Sequence, residues 1–105
     1  MGRRARFIDL ARRLRRAMRA ADWSALAALD REVAQALRST PRLLSSQERA
    51  ALADLQRAHR EARERCAQEA ARLDTALSQM RQHRDGWMAY AMSNSHDLDT
   101  EEIRR

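Results

Sequence analysis

Apolar residues recur every three or four positions along most of this chain, and the pattern changes phase at only a few places. Phe7, Leu10, Ala11, Leu14, Met18 and Ala21 form one stripe among arginines, which predicts a first helix over residues 3–20. Leu26, Leu29, Val33 and Leu37 form a second stripe and predict a helix over 23–38. The two are divided without glycine or proline, at Asp22-Trp23, where an aspartate can accept the free N–H groups of a new helix as its N-cap. Ser39-Thr40-Pro41 ends the second helix, because the residue before proline is forced out of helical geometry. Leu43 and Leu44 sit in the connection that follows and are expected to close the end of a bundle.

Ser45 and Glu48 have the spacing of a capping box, which predicts the start of a third helix. Nothing interrupts its pattern before Asp85-Gly86, so it should run for about 40 residues, roughly 60 Å. Leu52, His59, Cys66, Leu73, Met80 and Trp87 fall seven apart, with Leu55, Ala62, Ala70 and Leu77 following each by three or four. This is a coiled-coil-like seam. Between Gln56 and Arg72 its apolar members are alanines and Cys66, which bury little area. The lower part is expected to pack on the first two helices. The segment 80–92 needs another partner: a second copy, a returning tail or a different protein. Ser93-Asn94-Ser95-His96 reads as a loop, and Asp97 to Ile103 as a single helical turn or a loose acidic tail able to fold back on the first helix. The expected organisation is an all-α antiparallel bundle of three helices with a long third helix over residues 1–92, followed by a tail or short helix over 93–105.

Composition agrees with helices throughout: 105 residues contain two glycines and one proline. All basic residues are arginine, which reflects composition bias more than mechanism. Residues 1–20 hold eight arginines and one aspartate, a local +7 within a chain of net +6. Such a helix attracts nucleic acid, acidic lipid or an acidic protein, although a solvated face is the plainer reading. The single Cys66 excludes an internal disulfide framework and fits a reducing cytoplasm. No apolar run reaches the roughly 20 residues that span a bilayer. Arg3-Arg4 is not followed by the apolar stretch of an export signal, and Gly2 lacks the downstream serine or threonine of a myristoylation signal. A cytoplasmic location is expected.

Catalytic constellations are not evident. There is no glycine-rich phosphate loop, no nucleophile elbow and no metal-ligand spacing. His59 and Cys66 share a face but lie two turns, roughly 10 Å, apart, too far for one metal ion; they read as a satisfied histidine and a small buried thiol. No enzyme activity, metal or cofactor is expected. Trp87, Met88, Tyr90 and Met92 crowd together, and such adaptable side chains suit either a partner helix or plain packing at a bundle end or dimer interface.

The alanine-rich turn, the Asp22-Trp23-x-x-Leu26-x-x-Leu29-Asp30 helix start, the Leu43-Leu44 connection and a long third helix reaching Tyr90 make the chain resemble the FliT family of bacterial flagellar export chaperones. The resemblance covers residues 10–90 and is carried by Asp22, Trp23, Leu26 and Leu29; the first helix is more basic than is usual there. It implies a small cytoplasmic helical protein that keeps the filament-cap protein (FliD) monomeric and export-competent through its C-terminal region. It further implies delivery to the export ATPase complex and, in some members, binding to the flagellar master regulator of transcription. The family's groove along the second and third helices maps onto Val33, Leu37, Leu52, Leu55 and Ala62, some of which must serve as core instead. Alternatives from other classes are a nucleic-acid-binding module using the Arg3–Arg19 cluster, with little aromatic interleaving to support it, and a scaffold that pairs as a homodimer through the seam from Leu52 to Trp87.

Overall fold

The computed structural model describes the backbone of residues 2–104 and the side chains of residues 2–94. It contains three helices, α1 (Arg3–Arg19), α2 (Trp23–Arg38) and α3 (Ser46–Arg104), and no strand among the described residues. The chain divides into two compact units, Met1–Glu69 and Ala70–Arg105, with α3 contributing to both.

In the first unit the end of α1, both ends of α2 and the start of α3 are closed by local chemistry, whereas Gly2 at the start of α1 supplies no side-chain cap. At the end of α1, Ala21 N–H donates to the Met18 carbonyl (3.1 Å) and Asp22 N–H to the Ala17 carbonyl (2.9 Å). These two bonds are a Schellman motif, with Ala21 in the left-handed position at φ 51°. Asp22 then caps α2, its Oδ1 accepting from the Ala25 N–H at 3.1 Å. At the far end of α2, Ser39 Oγ donates to the carbonyls of Gln35 and Ala36, and Thr40 Oγ1 to that of Ala36 at 2.8 Å. The capping box at α3 is complete: Glu48 N–H donates to Ser45 Oγ (3.1 Å) and Ser45 N–H to Glu48 Oε1 (2.9 Å).

The helices form an up-down-up bundle in which successive helices run antiparallel. Arg3 reaches Glu48 at 3.0 Å and Arg15 reaches Asp54 at 2.6 Å, so α1 and α3 point the same way. Arg13 meets Glu32 at 2.8 Å, which sets α2 against α1. The apolar stripes converge on a core of Phe7, Leu10, Leu14, Leu26, Leu29, Val33 and Leu55, floored by Ala51, Ala58 and Ala62 of α3. Each large member contributes about 1.5–3 kcal/mol by leaving water. The alanines let α3 lie close to the hairpin of α1 and α2. Trp23 is half-buried and packs on this core beside the joint.

Two sequence expectations in this unit are corrected. Ala21 is not part of the α1 stripe; it is exposed and lies beyond the helix, because the chain turns at a left-handed residue. Leu43 does not close the bundle and is 91% exposed. Of the two leucines only Leu44 is half-buried.

In the second unit α3 continues through Asp85-Gly86 and through 93–96, where a break and a loop were expected. One glycine costs a helix interior only about 1 kcal/mol, and serine, asparagine and histidine are middling helix formers, so neither segment forces an end without proline. Among the described side chains of 70–94 none is buried. Contact between the acidic 97–103 segment and the first helix concerns side chains outside the described residues.

Candidate functional site

Between α2 and α3 of the first unit lies a cleft of about 300 Å³, lined by Leu14, Leu26, Ala27, Asp30, His59, Ala62, Arg63 and Cys66. Helical spacing makes it. Leu26, Ala27 and Asp30 stand on one edge of α2; His59, Ala62, Arg63 and Cys66 stand on the facing edge of α3. Alanine at positions 27 and 62 leaves the space that larger residues would fill. The floor is apolar, formed by the buried Leu14, Leu26 and Ala62.

The polar rim is ordered. His59 Nε2 donates to Asp30 Oδ1 at 2.6 Å, with the imidazole 14% and the carboxylate 47% exposed. The histidine is therefore satisfied within the fold, as its place on the seam led us to expect. Arg63 is exposed and stands beside it. An apolar floor with a few oriented polar groups at its edge suits non-covalent recognition of an apolar side chain. Cys66 lines the same cleft as a half-buried free thiol. No group of three His, Cys, Asp or Glu side chains capable of holding a metal occurs among the described residues.

The residues singled out from the sequence fall into three places. Val33, Leu55 and Ala62 are core, at 0%, 0% and 4% exposure. Leu37 and Leu52 are half-buried at the margin of that core. Asp22, Trp23, Leu26 and Leu29 build the α1–α2 joint and the root of α2, and Leu26 also lines the cleft. Ala27, Asp30 and Arg63 were missed, since an alanine, an aspartate and an arginine carry no site signal of their own. Asp30 and His59 are 29 residues apart, and only the folded bundle pairs them.

Two further surfaces stand out. In the second unit Leu73, Leu77, Met80, Trp87, Met88, Tyr90 and Met92 are 48–70% exposed. Trp87 and Tyr90 stack, with ring centroids 6.1 Å apart. On α1, Arg3, Arg13 and Arg15 are engaged by carboxylates, whereas Arg12, Arg16 and Arg19 share the solvent face without an ion pair among the described residues. The Arg15–Asp54 contact is bidentate, at 3.0 and 2.6 Å. That hydrogen bonding holds the Asp54 carboxyl below its ordinary range and raises Arg15. Glu48 is lowered as well, chiefly by the Ser45 backbone N–H and hydroxyl.

No helix among the described residues is long and apolar enough to cross a membrane. No family model, curated protein or solved structure matches this chain.

Proposed function

We propose that this protein is a stoichiometric binding protein of the FliT type, a cytoplasmic flagellar export chaperone that holds a helical C-terminal segment of the filament-cap protein in the α2–α3 cleft. The observation that carries the reading is the cleft itself, an apolar groove with a polar rim between the two helices to which the family resemblance assigns the partner. A client side chain would seat against Leu26 and Ala62, while Asp30, His59 and Arg63 would meet polar groups of the client backbone or flanks. Leu37 and Leu52 would extend the contact toward the other end of the bundle. The reading needs no catalytic step and no cofactor. Delivery to the export ATPase complex and binding of the flagellar regulator belong to the same proposal.

Calorimetry with the cap protein's C-terminal segment tests it. Ala27 is exposed in the cleft, so Ala27→Arg fills the groove without disturbing the core. Binding in the micromolar range or tighter, weakened at least tenfold by Ala27→Arg, is expected; no binding at about 50 μM removes the proposal.

A second reading is favoured by Arg12, Arg16 and Arg19, which have no ion pair among the described residues. Placed on one face, they suit the phosphates of nucleic acid, and such binding would fall steeply with salt. Replacing all three with glutamine should abolish it. Duplex and single-stranded probes that fail to bind at low salt exclude it.

A further inference from the structure

The first unit holds sixteen arginines against nine acids, a net +7, while residues 70–105 sum to −1, so the positive charge of the protein belongs to the bundle. Part of it is neutralised where it stands. Asp9, the one acid of α1, lies 3.6 Å from Arg13, and carboxylates of α2 and α3 hold Arg3, Arg13 and Arg15. What is left gathers on one side of α1, where Arg12, Arg16 and Arg19 are exposed at i, i+4 and i+7 over about 10 Å of helix. That side continues onto α3. A notch of about 230 Å³ is lined by Arg15, Met18 and Arg19 of α1 and by Glu61 and Arg65 of α3. Arg65 is exposed and has no ion pair among the described residues. We infer that Arg12, Arg16, Arg19 and Arg65 form one surface for the phosphate backbone of double-stranded DNA, bound without regard to sequence; this rests on the reading that α1 binds nucleic acid.

The neighbours of these arginines select the ligand. Single strands are held by stacking their bases on aromatic side chains. Of the first unit's two aromatics, Phe7 is buried in the core and Trp23 packs half-buried at the α1–α2 joint. A bilayer surface or an acidic protein draws on apolar anchors beside the charge. The exposed apolar positions of residues 3–20 are alanines, Ala5 and Ala20, and Ile8 packs against the core. A duplex needs neither kind of anchor, because its backbone alone presents one charge per about 1.7 Å of axis, about six along the length of the three α1 arginines. Guanidinium donors match phosphate oxygens in pairs, and contacts of that kind fix position without reading bases.

Glu61 gives the surface an internal marker. It lines the notch among Arg15, Arg19 and Arg65, so a phosphate drawn there meets one opposing charge. Removing that charge should tighten binding, whereas removing Arg65 should loosen it. The surface lies on the α1–α3 side of the bundle and is separate from the α2–α3 cleft, so DNA binding does not depend on the cleft's client.

Fluorescence anisotropy of a labelled DNA duplex of about 20 base pairs, titrated with the full chain at about 25 to about 200 mM salt, is the test. Micromolar binding at the lowest salt is expected, with the logarithm of the binding constant falling against that of salt at a slope of about −3.6, as four phosphate contacts require. Arg65→Gln should reduce the slope to about −2.7 and weaken binding several-fold at low salt, and Glu61→Gln should tighten it at least about twofold. Both residues are exposed, and circular dichroism should show the variants folded. A duplex of permuted sequence should bind within about twofold of the first. If neither the duplex nor a single strand binds at the lowest salt, the reading of α1 as a nucleic-acid site falls and the inference with it. A single strand that binds as tightly as the duplex leaves that reading standing and overturns the assignment to duplex DNA. Polyglutamate that binds as tightly overturns it too, in favour of an acidic protein. Affinity and slope unchanged by Arg65→Gln overturn the surface shared by α1 and α3.

Discussion

Ala21 occupies the left-handed position of the α1 Schellman turn, a place where glycine is usual, and Ala21→Gly should therefore stabilise the protein. At φ 51° the methyl group crowds the following carbonyl, which costs an L-residue about 1–2 kcal/mol. Glycine removes that crowding but enlarges the conformational freedom of the unfolded chain, a loss of about 0.5–1 kcal/mol. Ala21 is exposed, so no burial is forfeited. The balance is a gain of about 0.5–1 kcal/mol. For a cooperative unit of this size that is a rise of roughly 2–8 °C in melting temperature.

Ala20 supplies the matched control. It lies one residue earlier, is also exposed, and has ordinary right-handed geometry at φ −82°. Ala20→Gly relieves nothing and should lose about 0.5–1 kcal/mol. The two glycine variants thus differ by about 1–2 kcal/mol in opposite directions from the original. Urea titration followed by far-UV circular dichroism measures both at once, with equal slopes expected. If Ala21→Gly is no more stable than the original, or if the two variants lose stability equally, the turn does not hold a left-handed alanine and the account of the α1–α2 joint is wrong.

Gly86→Ala should slow hydrogen exchange of the neighbouring amides about fivefold, since an added Cβ meets nothing within 4 Å and alanine favours the helix by up to about 1 kcal/mol; unchanged exchange would speak against a continuous helix there. Asp54→Asn should cost under about 1 kcal/mol near pH 7, because the Arg15–Asp54 pair is more than one-third exposed on both sides. The folded carboxyl lies below its ordinary value of 3.8, so its contribution is present above that pH and is lost as pH falls through the depressed value. Denaturant melts over a series of pH values from about 7 downward should show the penalty shrinking in acid; a penalty that grows in acid contradicts the assignment. Trp23→Ala should destabilise the bundle by about 2 kcal/mol, less than for a fully buried tryptophan. Under conditions where that variant remains folded its affinity for the cap-protein segment should match the original, and a selective loss of binding would place Trp23 in the site.

The architecture was legible where a residue acts through its immediate neighbours. Asp22 as a cap, Ser45 with Glu48 as a box, and the stripes of α1 and α2 all depend on spacings of three or four residues, and spacing is what a sequence displays. Ala21 misled because its place on the stripe and its place in the turn are one residue apart, and alanine marks neither. Gly86 and the 93–96 segment misled in the opposite sense, since residues of modest helix propensity do not end a helix that nothing else interrupts. The cleft was hidden because an absence makes it. Ala27 and Ala62 matter through the volume they leave, and the Asp30–His59 pair arises only when α2 lies against α3.

The seam of α3 shows why core and partner surface look alike in a sequence. Leu55 and Ala62 are buried while Leu73, Leu77 and Met80 are exposed, yet all lie along one apolar stripe of three- and four-residue spacings on α3. Periodicity reports which face of a helix is apolar; it does not report what covers that face. Coverage depends on the lengths of the other helices, and α1 and α2, with 17 and 16 residues, each extend only about 25 Å. α3 has 59 residues, so a pattern of that length is several times longer than one hairpin can occupy. The alanines at 51, 58 and 62 stand where helices approach closely, and the bulkier leucines, methionine and tryptophan appear beyond them. Bulk on an uncovered face loses free energy to water unless something removes it from solvent. Hence the apolar seam continues along α3 beyond the part that α1 and α2 cover, with none of the described side chains of 70–94 buried.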